Sequence, residues 1–384
     1  MIFTNFLCVL RKRVHTNWAY ASILHLTGSL WCMPWQRSGN EKFSHRFLGV
    51  GNTALYYSGI LEYEGIRPDF FVDTAAEKVG ARINGIVIAD GRRICSLNNP
   101  LVLVATTARE TFFSIKKQAL ALNSHARCIS VDAYVLAKNE RKIQETLNIF
   151  SDQASREKYL AVVESRKKLM DVPPWLVESP MFRYESGLPF QLPRLNDVVV
   201  DAGAYCGDSL EKFLFSHDAH IQTYYAFEPD DRYFAALLTR CQRLVREWAL
   251  NEETLVPVKN CLSRYNGSGV LRNWNLAGGG SALLSADAPV WGQSSTVDVT
   301  TIDTFFAHKE VTFIKADIEG AEYDMLLGAQ ETICRCKPRL AISLYHNPSD
   351  MYRIPLLLKN FAVNYQFAFH HYSPTWGDSL LYAW

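Results

Sequence analysis

Acidic side chains gather at the ends of apolar runs in the second half of this chain, and chemistry would be done there. Asp201 closes the run 198–200 and is followed by Gly203, Ala204, Tyr205, Gly207, Asp208 and Ser209. Small residues such as Gly203 and Ala204 let a backbone approach a ligand closely, because a larger Cβ substituent would clash. A helix opening after Gly207 offers free N–H groups to an anionic end, for instance the carboxylate of a methionine moiety. Asp201 can then face the matching ammonium group. Glu228 closes the next run, 224–227, where a carboxylate accepts both ribose hydroxyls of a nucleoside. The same pair serves NAD, so it specifies an adenosine ligand more firmly than it says which one. Asn260, after a third run, suits a bond to adenine or its ribose, or else a plain turn.

The densest group is Lys315, Asp317, Glu319 and Glu322 around Gly320. Such crowding is costly unless the charges are paired, ligated or functional. Glu319 or Glu322 can instead be acids favoured at a helix N-terminus. His346 ends a further run at the same edge, as a general base or as a structural histidine. Asp317, Glu319 and His346 are therefore the candidate catalytic residues. Asp317, Glu319 and Asn347 are hard oxygen ligands, but no fixed ligand spacing supports a divalent metal, and none is assigned. His370 and His371 lie on the penultimate run, where alternation points them to opposite faces.

These residues need strands and helices in alternation to bring them together. Apolar runs at 198–201, 224–228, 255–259, 297–302, 311–317, 339–345, 365–372 and 379–383 read as strands, with helical spacing at 209–215 and 232–247. The pattern implies a parallel sheet covered on both faces, ending in a hairpin with one antiparallel edge strand. Ahead of it lies a smaller α/β unit. Strands are expected at 46–51, 69–73, 101–105 and 128–131, and a helix at 54–63. Gly49, Gly51 and Ala54, with Asp73 after a strand, fit a dinucleotide fingerprint. Residues 137–170 turn helical and charged, with Asp152 or Ser155 as a cap. Pro173, Pro174, Pro180, Pro189 and Pro193 then break regular structure, which suggests a linker. The resulting division is an arm at 1–45 rich in aromatics (Trp18, Tyr20, Trp31, Trp35), a small Rossmann-like α/β domain at 46–136, a connector at 137–194, and a larger domain at 195–384.

Composition excludes several classes. The 384 residues are 48% hydrophobic and 21% charged, with a formal net charge of +1, so nothing argues for nucleic acid as a partner. Nine cysteines without a CxxC pair suggest neither a zinc site nor a disulfide framework. The first ten residues are apolar but precede the basic cluster 11–13, the reverse of a signal peptide, and no stretch is long enough to span a membrane. The expected location is the cytoplasm.

Taken together, the motifs resemble the FkbM family of methyltransferases over roughly 195–384. The resemblance rests on VDAGAYCGDS at 200–209, FEPD at 227–230, TIDTF at 301–305, IKADIEGAE at 314–322, LYHNPSDMYRIPLLLK at 344–359 and HHYSPTWGDSLLYA at 370–383. It implies a class I methyltransferase fold, a Rossmann-like seven-stranded sheet with a terminal β-hairpin. It implies S-adenosyl-L-methionine as cofactor, held by Asp201, Gly203, Ala204, Tyr205, Gly207, Asp208, Ser209, Glu228, Asn260 and Asp317. It also implies methylation of a hydroxyl on a sugar, glycan or natural product. The family often has Arg where this chain has His370, and no substrate contact is carried over to that position. Two other classes fit parts of the pattern. One is an NAD(P)- or nucleotide-sugar-binding enzyme that uses the N-terminal fingerprint. The other is a non-catalytic protein that binds an adenosine ligand.

Overall fold

The computed structural model describes residues 45–48, 52–73, 76–106, 108–179, 183, 196–273, 281–284, 294–361 and 363–384. The aromatic arm, the glycines at 49 and 51, and most of the proline-bearing stretch lie outside the described residues. No helix among the described residues is long and apolar enough to cross a membrane.

The first sheet is built from β1 (His45–Leu48), β2 (Phe70–Asp73), β3 (Arg82–Ile83), β4 (Ile86–Asp90), β5 (Leu101–Val104) and β6 (Arg127–Ser130), in the order β3-β4-β2-β1-β5-β6. All its pairings are parallel except that of β3 with β4. Leu101–Val104 is buried at every position because both faces are covered. Helices α1 (Asn52–Tyr63) and α3 (Val131–Lys138) cover one face, where Tyr57, Ile60, Val131 and Val135 pack together. Helix α2 (Arg109–Leu122) covers the other through Phe112 and Ala119.

The charged helical stretch that follows is a covering layer of the second sheet. It forms α4 (Glu140–Leu147) and α5 (Gln153–Lys168), the latter capped by Asp152, whose side chain accepts from the Ser155 amide. Ile143, Phe150, Tyr159, Val162 and Val163 share one apolar cluster with Leu340, Ile342 and Phe369 of the second sheet. Two hydrogen bonds fix that contact, Tyr159 Oη to the Met351 carbonyl at 3.0 Å and the Phe369 amide to Ser155 Oγ at 2.9 Å. On its other side α5 holds the first sheet's helices. Arg166 Nε bonds Asp132 Oδ2 at 2.6 Å in a fully buried pair, and Tyr57 Oη donates to the same carboxylate at 2.8 Å. The core therefore runs without a break from residue 131 into the second sheet. A fragment beginning at residue 195 should be insoluble or fail to bind S-adenosylhomocysteine, since it strips α5 from Phe369 and its neighbours. A soluble fragment with the full chain's affinity, measured by calorimetry, would show that the larger unit needs no such cover.

The second sheet contains β7 (Asp197–Ala202), β8 (Ile221–Phe227), β9 (Leu255–Val258), β14 (Phe313–Ala316), β15 (Arg339–Ser343), β16 (Phe367–His371) and β17 (Ser379–Ala383). Its order is β16-β17-β15-β14-β7-β8-β9. The final hairpin differs from expectation in one respect. The antiparallel strand β17 is not at the edge; it inserts between β15 and β16 and pairs with both. Helices α6 (Asp208–Ser216), α7 (Asp231–Glu247), α9 (Glu322–Leu327), α10 (Gln330–Cys336) and α11 (Asp350–Asn360) connect the strands.

The segment 297–302 does not join this sheet. Strands β10 (Cys261–Leu262), β11 (Gly267–Asn273), β12 (Ser281–Leu284) and β13 (Ser294–Thr300) form a separate four-stranded sheet, in the order β10-β13-β11-β12. In β13 Val297 and Val299 are buried while Asp298 is exposed, the alternation of a half-covered strand. Thr301 then ends the strand by capping the short helix α8 (Ile302–Phe305), its hydroxyl accepting from the Thr304 amide at 3.0 Å.

Candidate active site

Strand β7 sits between β14 and β8, so the chain leaves it in opposite directions on its two sides. Ligands of doubly wound sheets bind at such a switch point, beyond the carboxyl ends of the strands. A cleft of about 280 Å³ opens there. Its walls include Gly203, Tyr205, Asp208 and Ser209 after β7, Glu228 after β8, Asn260 after β9, and Asp317 and Glu319 after β14.

The loop after β7 is shaped by backbone packing. Gly203 has φ +80°, and a Cβ on it would lie 2.0 Å from the carbonyl oxygen of Asp317. Gly207 has φ +82°, and a Cβ there would meet the Leu237 and Arg240 side chains at 3.0 Å. These glycines thus serve the turn and its contacts with β14 and α7, in addition to any ligand. Asp201 does not reach the cleft. It is fully buried, paired with Lys315 Nζ at 2.7 Å, and accepts from Tyr224 Oη at 2.8 Å. Burial works to lower the Lys315 pKa, but the carboxylates of Asp201, Asp317 and Asp208 together outweigh it and the net shift is upward. Lys315 also donates to the Gly203 carbonyl at 2.7 Å, so the pair ties the loop to β14. A ligand ammonium would find Asp201 already engaged. Ala204 is buried in the apolar cluster of α6 and lies off the cleft wall, as does Gly207.

Glu228 is held differently. Its Oε2 accepts from the Tyr205 amide at 3.0 Å and its Oε1 from the Asp230 amide at 2.9 Å. Burial pushes its pKa up to about 7, against the pull of those two N–H groups. Each oxygen keeps a further lone pair, so the carboxylate can accept two hydroxyls from the cleft. Asp230 caps α7 by accepting from the amides of Arg232 and Tyr233. That cap brings Tyr233 to the cleft wall, where its ring lies 4.4 Å from that of Tyr205.

The other end of the cleft is an acid–histidine cluster. His346 is 8% exposed and sits behind Asp317 and Glu319 rather than on the wall itself. Its Nδ1 donates to Glu322 Oε1 at 2.8 Å, and the same oxygen accepts from the Ile318 amide at 2.8 Å. Its Nε2 faces Asp317 Oδ1 at 3.6 Å and Glu319 Oε2 at 3.7 Å. Tyr345 Oη donates to Asp317 Oδ1 at 2.8 Å. Burial alone would lower the His346 pKa, yet Glu322, Asp317 and Glu319 raise it to about 10. Burial raises the pKa of Glu319.

Residues 201–367 match the family model of the methyltransferase FkbM domain. Over these residues the chain is similar to that methyltransferase domain. A methyltransferase FkbM from Methylobacillus flagellatus KT is similar in structure over 89% of this chain and 90% of its own, with a TM-score of 0.56 and 19% identity. At that identity the likeness speaks for the fold, and the sheet order above is that of a class I methyltransferase. An Aeropyrum pernix fibrillarin in complex with S-adenosyl-L-methionine covers 60% of this chain and 76% of its own, with 12% identity and a TM-score of 0.29. An rRNA methylase from Streptococcus thermophilus covers 49% of this chain and 85% of its own, also at 12% identity and a TM-score of 0.29. Neither of these two scores carries an inference. No curated protein matches the chain.

Within the matched residues, the structure brings Gly203, Tyr205, Asp208, Ser209, Glu228, Asn260, Asp317 and Glu319 to one cleft, and leaves Asp201, Ala204, Gly207 and His346 off its wall. Phe227, Tyr233, Leu271 and Arg183 were not singled out in the sequence, and all four line the cleft. Only Tyr233 carries a signal, since it falls three residues after the capping Asp230. Neither His370 nor His371 reaches the site. His370 pairs with Glu178 at 2.7 Å and His371 with Ser379 Oγ at 2.9 Å.

Proposed function

We propose that this FkbM domain is an O-methyltransferase that moves a methyl group from S-adenosyl-L-methionine to a hydroxyl of a sugar, glycan or natural product. One observation carries the reading. A single cleft has a buried, two-oxygen acceptor at one end, Glu228, and an acid–histidine cluster at the other. The residues present fit the cofactor. Glu228 receives the ribose hydroxyls, Asn260 approaches the base, and Tyr205, Asp208 and Ser209 lie at the loop and first turn of α6. When bound, the cofactor supplies an electrophilic methyl group on a sulfonium. The chain's own task is then to position an oxygen, which alone can contribute about 7–11 kcal/mol. Asp317 and Glu319 face that oxygen, accept its hydrogen bond and draw its proton away as it attacks. His346 holds its own proton at neutral pH and sits behind them, a cation facing both carboxylates.

The test is release of S-adenosylhomocysteine from S-adenosyl-L-methionine across acceptors that differ in chemistry: monosaccharides, oligosaccharides, polyhydroxylated natural products, amines and RNA. Turnover is expected with hydroxyl acceptors and should vanish when the acceptor hydroxyl is replaced by hydrogen. Turnover confined to amines or RNA would overturn the O-methylation reading and leave the cofactor reading in place.

A further inference from the structure

We infer that Arg183, from the stretch ahead of the matched residues, binds the carboxylate of the cofactor's methionine moiety, with Asp378 holding the guanidinium in place. The inference rests on the methyl-transfer reading and adds to it the residue that the amino-acid end of the cofactor requires. That end carries one carboxylate and one ammonium. Among the described residues, the cleft wall offers four acids, Asp208, Glu228, Asp317 and Glu319, against two cations, Lys315 and Arg183. An ammonium is readily served there. A carboxylate is repelled by the acids and loses water on entry, so it needs one of the two cations.

Lys315 is committed elsewhere. Its Nζ pairs with Asp201 at 2.7 Å and donates to the carbonyls of Gly203 at 2.7 Å and Ala202 at 3.5 Å, which accounts for the three N–H groups of an ammonium. Its side chain is only 4% exposed. The N-terminus of α6, where the sequence suggests this carboxylate would bind, is no better suited. Asp208 and Glu211 stand in its first turn, and their charges already answer the helix dipole. Asp208 also lines the cleft, where it repels a second carboxylate.

Arg183 differs on each count. It lines the cleft with its side chain 20% exposed, and its Nη1 pairs with Asp378 Oδ1. A guanidinium carries five N–H donors in a planar fork, so one edge can hold an orienting carboxylate while another meets a second. Asp378 is itself fixed between β16 and β17, where its carbonyl accepts from the Tyr372 amide at 3.1 Å. Its charge also acts on Tyr345, whose hydroxyl donates to Asp317 at 2.8 Å. The Asp317 amide in turn bonds the Ala202 carbonyl at 3.0 Å, where β7 ends and the glycine loop begins. These contacts set Arg183 on the Asp317 side of the cleft, whereas the ribose is assigned to Glu228. The two residues thus serve the two polar ends of one ligand.

The experiment is calorimetric titration of the full chain with two ligands, S-adenosylhomocysteine and its decarboxylated form, which keeps the ammonium and lacks only the carboxylate. Wild type should prefer S-adenosylhomocysteine by about tenfold or more, as a charge-assisted pair implies. Arg183→Gln should weaken S-adenosylhomocysteine by about tenfold or more and leave the decarboxylated ligand within about threefold, so that the preference disappears. Arg183→Lys keeps the charge without the fork and should lose a smaller part of the preference, which keeps the test valid if Arg183→Gln fails to fold. Wild type that binds both ligands alike, or Arg183→Gln that binds S-adenosylhomocysteine within about twofold of wild type, would overturn the role of Arg183 and leave the methyl-transfer reading standing. Equal loss of both ligands in Arg183→Gln would also overturn it, as the mark of a residue that only supports the fold. Wild type that binds neither ligand would remove the reading and the inference together.

Discussion

S-adenosylhomocysteine at about 100 times its dissociation constant should stabilise this protein by roughly 2.7 kcal/mol, and Glu228→Ala should abolish the gain. The carboxylate lies beyond the end of β8, buried, with both oxygens anchored by backbone amides and both able to accept again from the cleft. Hydrogen bonds to a charged acceptor contribute about 1.5–3 kcal/mol each. Losing two of them exceeds the stabilisation that excess ligand provides. The effect should also depend on pH in a particular direction. With its pKa near 7, Glu228 is half protonated at neutrality in the free protein. Ligand binding to the ionised form then requires release of a proton, and affinity should fall by up to about tenfold per pH unit below 7. The group's contribution to stability of the free protein runs the other way. Its folded pKa lies above the unfolded value, so the native state holds the extra proton between about pH 4.5 and 7, and stability from this group declines as pH rises through 7. A thermal-shift series from pH 5.5 to about 8.5 reads both trends. No shift in wild type at saturating ligand would remove the methyltransferase reading altogether.

The strands that carry the site were legible because parallel strands covered on both faces are continuous apolar runs, and the acids stand where those runs stop. The same rule misled at 297–302. There Val297 and Val299 alternate with Asp298 and belong to a half-covered sheet, a difference of period visible in the sequence once read for it. The stretch 137–170 was legible as helix but not as core. Its many charges mark the outer face of α5, while Tyr159, Val162 and Val163 cover the second sheet on the inner one. Asp201 illustrates the limit at the site. An acid ending an all-apolar strand can face a ligand or a buried partner, and only the placement of Lys315 on the adjacent strand, at 2.7 Å, decides for the partner. Arg183 left no pattern at all, since its stretch has no periodicity; it reaches the cleft and pairs with Asp378 across 195 positions of sequence.

Loss of His346 should separate turnover from cofactor binding. His346→Ala is expected to lower kcat by about 10²–10³ while the dissociation constant of S-adenosylhomocysteine stays within about threefold. The histidine lies off the cleft wall and touches none of Tyr205, Glu228 or Asn260, so the cofactor end should not sense its removal. The acceptor end should. Without a cation at that position, Asp317 and the fully buried Glu322 are left close together with no charge to offset them, and the repulsion of like charges moves the carboxylates from their places. The wall then loses the charged oxygens that draw the acceptor proton. His346 is in this sense a positioning residue, and the divided readout distinguishes it from a merely structural one, whose loss would weaken cofactor binding and turnover alike. Asp317→Asn supplies the contrast. Asp317 lines the cleft, and its carboxylate accepts from Tyr345. It should damage both affinity and kcat. Turnover of His346→Ala within about threefold of wild type would show that the cluster's charge balance has no part in the reaction.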